Sequence, residues 1–113
     1  MNVSVGINMK HSEYLIKHSE LCKRMEELTL VKQLDYSSGS DDAFFNVSRC
    51  ESKGVVTTEQ GIYIRISDKI ARIESFLKKG SLEVKDESLI DSCVDLANYS
   101  LMLGIYLINK EKK

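Results

Sequence analysis

Lys85 to Asn109, KDESLIDSCVDLANYSLMLGIYLIN, is the stretch that decides the fold. At about 3.6 residues per turn, Glu87, Asp91, Asp95 and Asn98 follow one another at steps of four, four and three, so they share one face of a helix. Leu89, Cys93, Leu96 and Leu103 form an apolar stripe beside that face, and Ile90, Val94, Ala97, Leu101 and Ile108 form another. A helix with apolar surface on two sides belongs in a bundle. Its row of carboxylates cannot stay charged beside so much apolar surface without compensation, which a hard metal ion, a basic neighbour or water must supply.

The rest of the composition points the same way. The chain of 113 residues is 42% hydrophobic, enough for one domain with a core that a second subunit would complete, and the expectation is a single domain over 1–113. It has no proline, no tryptophan and only three phenylalanines, which favours long unbroken helices over a turn-rich sandwich. A net charge of -1 provides no basic field for duplex nucleic acid, although Lys110, Lys112 and Lys113 are locally positive. Cys22, Cys50 and Cys93 lack CxxC spacing and suit a reducing interior better than a disulfide framework or a zinc site. No apolar run approaches the roughly 20 residues of a membrane span, and the opening residues lack a signal-peptide core. A cytoplasmic location, away from membranes, is expected.

Three long helices and one short one are predicted, at 11–33, 42–50, 58–79 and 86–109, after a loose N-terminal arm at 1–10. The first starts with Ser12 as N-cap and carries Tyr14, Leu21, Met25 and Leu28 as its apolar stripe. LDYSSGSDD, Leu34 to Asp42, concentrates helix-breaking Ser, Gly and Asp and predicts a turn, with Asp41 or Asp42 capping the short helix that presents Phe44, Val47 and Cys50 inward. Thr57-Thr58-Glu59-Gln60 has the form of a capping box, and Gly80 follows the basic turn Lys78-Lys79 as a stop, so the third helix is punctuated at both ends. A short strand over Ile62, Ile64 and Ile66 is the rival reading there. Ser81 to Val84 is a linker, and Asp86 or a neighbour caps the last helix.

Taken in order, Lys32-Gln33-Leu34-Asp35-Tyr36, the D-A-F-x-N element Asp42, Ala43, Phe44 and Asn46, then Gly61, Arg65, Asp68, Lys69 and Arg72, then Val84 to Ser88 and Asp91 to Tyr99, resemble the nucleotide modification associated domain 1 family of phages and bacteria. The resemblance covers about two thirds of the chain. More distantly, the helical content and the closing D-x-x-x-D-x-x-x-Y pattern resemble the all-α nucleotide pyrophosphohydrolases of the MazG and dimeric dUTPase type. The resemblance implies a MazG-like helical bundle completed by oligomerisation. It also implies a magnesium-dependent hydrolysis of a nucleoside triphosphate, with Glu87, Asp91 and Asp95 as catalytic residues and, joined by Asp68, as metal ligands. Magnesium prefers carboxylate and water oxygens and shares substrate phosphates, which agrees with these residue types. Asp35, Tyr36, Asn46, Arg65, Lys69, Arg72 and Asn98 are the residues implied for ligand binding, Lys69 or Arg72 meeting phosphate.

Each of these has a plainer reading. The acids are equally a solvated face or ion-pair partners of Arg65, Lys69 and Arg72, and Asp35 with Tyr36 suits a turn. The chain also departs from the enzymes, which carry an E-x-x-E pair on one helix and an E-x-x-D pair on another. Here Asp91 and Asp95 lie four apart, and the preceding helix offers only Asp68. The alternative function is therefore a phage protein without catalysis that sequesters a nucleotide or cyclic-nucleotide immune signal. Apolar residues on two faces of the last helix predict a homodimer or larger homo-oligomer.

Overall fold

The computed structural model describes residues 8–36, 39–81 and 88–112, with the side chain of Tyr36 excepted. The described residues are all-α. Helix α1 spans His11–Tyr36, α2 Phe45–Ser52, α3 Thr58–Lys79 and α4 Leu89–Glu111. Residues 1–7 of the expected N-terminal arm, most of the linker before α4, and Glu87 lie outside the described residues. The strand considered at Ile62 to Ile66 is helix.

The helix ends show which local signals prevailed. At α3 the Thr57 hydroxyl accepts from the Gln60 backbone, the Gln60 side chain accepts from the Thr57 backbone, and Gly80 closes the helix at φ 76°. At α4 the same device appears with Ser88, a neighbour of Asp86, as the N-cap, its hydroxyl accepting from the Asp91 amide while the Asp91 carboxylate accepts from the Ser88 amide. Helix α1 starts two residues earlier than a Ser12 cap requires, because the Lys10 carbonyl already accepts from the Tyr14 amide. It also runs past residue 33 to Tyr36. Before α2, Asp42 accepts from the Phe44 amide in an Asx turn, and the cap position itself falls to Phe44 with no side-chain bond.

Helices α3 and α4 form the central antiparallel pair. Their register is visible in three contacts: Arg72 with Ser92, Lys69 with Asp95, and Lys110 with Glu59. Helix α2 packs on the start of α3, where the buried Thr58 hydroxyl donates to Glu51 at 2.8 Å and Ile62 is fully buried. Helix α1 crosses α4 in the same direction, through Arg24 with Asp91 and Lys32 with Asp95. Phe44 and Tyr106 close the far end edge to face, 5.4 Å between ring centroids. Among the described apolar residues only Val47, Ile62 and Val94 are buried, and they share the interior with Thr58, Ser92 and Asp95. No helix among the described residues is long and apolar enough to cross a membrane.

Candidate functional site

Two features meet where α1, α3 and α4 come together. The first is a charged layer centred on Asp95, whose side chain is 9% exposed. Its Oδ1 accepts from Lys32 Nζ at 3.2 Å and its Oδ2 lies 3.1 Å from Lys69 Nζ. Lys32 also stands 5.6 Å from the centre of the Tyr99 ring, a cation over an aromatic face. Burial alone would push the Asp95 carboxyl up, but the hydrogen bonds and charges of Lys69 and Lys32 together outweigh it and hold the group below its ordinary value of 3.8. One turn away Arg72 Nε donates to the buried Ser92 hydroxyl at 2.9 Å.

The second feature is a cleft beside this layer, of about 50 Å³, with walls from all four helices. Thr29, Lys32 and Gln33 come from α1, Asn46 and Val47 from α2, Arg65 from α3, and Asn98, Tyr99 and Met102 from α4. With Ala43, three amides, two hydroxyls, one of them on an aromatic ring, and two cations therefore converge beside three apolar side chains. Amides offer donor and acceptor together, and guanidinium or ammonium groups suit anionic oxygens.

Against this geometry the expected site separates into two groups. Asn46, Arg65 and Asn98 line the cleft, and Lys69 stands at the adjoining charged layer. Arg72 is directed to Ser92, and Asp35 is an exposed residue of the last turn of α1. Tyr36 ends that helix, so Asp35 and Tyr36 are helical where a turn was expected.

Of the expected carboxylates that are described, Asp91 and Asp95 are each engaged separately. Among the described residues no three His, Cys, Asp or Glu side chains are grouped to hold a metal ion. The reasons are visible oxygen by oxygen. Both Asp95 oxygens face lysine ammonium groups. Asp91 Oδ2 accepts from the Ser88 amide and hydroxyl, and its Oδ1 pairs with Arg24. Asp68 is exposed on α3, and Glu87 lies outside the described residues.

Comparison of the chain with family models, with curated proteins and with solved structures finds no match. The site therefore rests on its own geometry. Sequence reasoning missed Arg24 and Ser92, and took Lys32 and Gln33 only as part of a resemblance. Lys32 meets Asp95 across 63 positions of sequence, a separation no helical period can bridge. The Ser88 to Asp91 box, by contrast, was legible as S-x-x-D before an apolar run.

Proposed function

We propose that this chain is a nucleotide-binding protein whose function is capture of the ligand. One observation supports the reading above the others: Lys32, Gln33, Ala43, Asn46, Arg65, Asn98 and Tyr99, from the separate segments that carry the family resemblance, line a single cleft. The amides of Gln33, Asn46 and Asn98 suit the edge of a base, Tyr99, Val47 and Met102 suit its face, and Lys32 and Arg65 suit phosphate. A space of about 50 Å³ is far below the few hundred Å³ of a complete small-molecule site, so it takes an edge of the ligand and leaves the remainder at the mouth. Capture is preferred to magnesium-dependent hydrolysis because Asp91 and Asp95 are engaged by Arg24, Ser88, Lys32 and Lys69. The reading includes a cytoplasmic site of action and a ligand from the nucleotide pool, cyclic signals included.

The test is thermal unfolding with nucleoside triphosphates, monophosphates and cyclic nucleotides, each with and without magnesium, followed by chromatography of the mixtures. A ligand at about 100 times its Kd contributes about 2.7 kcal/mol, a rise in Tm of several degrees for a domain of this size. The expected result is such a rise with the nucleotide recovered intact, lost in Arg65→Ala and retained in Lys79→Ala on the exposed end of α3. Conversion of a triphosphate to its monophosphate would replace capture with hydrolysis. No rise with any nucleotide at millimolar concentration would remove both.

A further inference from the structure

A groove of about 410 Å³ between α1 and α4 shares no wall residue with the cleft described above, and it gathers sulfur. The chain holds three cysteines and four methionines, and four of these side chains, Met9, Cys22, Met25 and Cys93, line this one surface. His18 stands among them, its Nδ1 3.7 Å from the Cys22 sulfur. The helix itself brings these donors together. His18, Cys22 and Met25 read H-x-x-x-C-x-x-M, and steps of four and three keep all three side chains on one face of α1. The His18 ring also stacks on Tyr14, with 6.2 Å between centroids and 28° between planes.

We propose that His18, Cys22 and Met25 form a site for a soft monovalent metal ion, copper(I), at the wall of this groove. Donor type selects the ion, since thiolate and thioether sulfur favour Cu(I), whereas carboxylate and carbonyl oxygen favour the hard cations. The described lining of the groove holds no carboxylate. Charge narrows the choice further. One thiolate neutralises a monovalent ion, whereas a divalent ion such as zinc would keep a net positive charge against apolar walls and beside the Lys17 ammonium. The separation of the donors is the third ground. With metal bonds of about 2.0 Å to nitrogen and 2.3 Å to sulfur, donors 3.7 Å apart subtend about 120° at an ion between them, the angle of a three-coordinate centre. Two donors alone do not complete such a centre, and the Met25 thioether, one turn beyond Cys22 on the same face, takes the third position. Binding exchanges the Cys22 thiol proton for the ion and releases that proton to water, with no change of oxidation state. The site stands independently of the nucleotide reading.

Titration of the full chain, reduced and kept free of oxygen, with the coloured Cu(I) complex of bicinchoninate tests it. Transfer of one Cu(I) per chain is expected, with X-ray absorption of the product showing nitrogen as well as sulfur at the copper. Cys22→Ser is expected to lower the affinity by more than the roughly 10- to 100-fold that follows from disturbing a group behind a metal ligand, and His18→Ala and Met25→Leu by at least about 10-fold each. Cys50→Ser, on α2, should leave the affinity unchanged. His18 is exposed and Cys22 half-buried, so these variants are expected to keep the helicity of the parent chain. An equal fall in Cys22→Ser, Cys50→Ser and Cys93→Ser would mean that copper takes thiols at large and would overturn the site. Copper surrounded by sulfur alone and indifferent to His18→Ala would overturn it equally. Zinc bound as tightly as Cu(I) in a parallel titration would overturn the choice of ion.

Discussion

The inner and outer faces of α4 invert the usual arrangement of a small domain. Inward, between α1 and α3, it buries Asp95 and Ser92 with a lysine on each side of the carboxylate; outward it exposes Ile90, Leu101, Ile105 and Ile108. The inner face cannot be relaxed one group at a time, because a buried charge left without its partner costs several kcal/mol. The outer face carries no such constraint within the chain. Register among the helices is therefore set by ions on the inner face of α4, while the apolar area of its outer face remains in solvent.

The largest expected effect comes from breaking the inner face. Asp95→Ala removes the buried carboxylate that Lys32 and Lys69 share, and a loss of about 3 kcal/mol in urea unfolding is expected. A loss under about 1 kcal/mol would mean the layer is solvated and does not fix the register. The variant also bears on catalysis: an activity lost in Asp95→Ala or Asp95→Asn identifies a catalytic carboxylate only if the fold survives. Acid should act on the same layer more gradually. Asp95 is held below 3.8 when folded, so its contribution is present in full above its unfolded value and disappears as the pH falls through the lowered folded one. Stability measured by urea titration is expected to drop below about pH 4 in the wild type, and to drop less steeply in Asp95→Ala. Equal slopes would assign the acid response to other carboxylates.

Much of the helical framework was legible because its signals are local. Thr57 and Gln60, three positions apart, open α3 as their types predict, and Gly80 closes it. The neighbour of Asp86 that caps α4 is Ser88, and it also engages one of the expected site acids. Asp91 belongs to two patterns at once, an acidic row with Asp95 and a capping box with Ser88, and the box governs its geometry. Asn46, Arg65 and Asn98 were named together through resemblance, and they do line one cleft. The contacts that neutralise Asp95 were not legible, since Lys32 is brought to it only by the crossing of α1 over α4. Nor did periodicity show how little of the apolar surface is buried. The stripes of α4 differ in sequence less than in fate: Val94 is buried while Leu101, two turns on along the same stripe, is half exposed.

Smaller effects sharpen the contrast at the helix ends. Ser88→Ala removes the hydroxyl that accepts from the Asp91 amide, and a loss of about 1 kcal/mol is expected, matched by Thr57→Ala at α3. Asp91→Asn keeps an acceptor for the Ser88 amide but weakens the pairing with Arg24, so its cost should fall below that of Asp95→Ala. If Asp91→Asn proved the more damaging of the two, the cap would be an insufficient account of that carboxylate. The smallest effect belongs to Glu59→Gln. Lys110 bonds Glu59 at 2.7 Å, lowering the Glu59 carboxyl and raising the Lys110 ammonium, yet the lysine is largely in water, where screening offsets most of an ion pair. No resolvable change in Tm at physiological salt is expected. A clear loss would show that the outer end of the α3 and α4 pair depends on charge as the Asp95 layer does, and would extend the inner face to the full length of the helix.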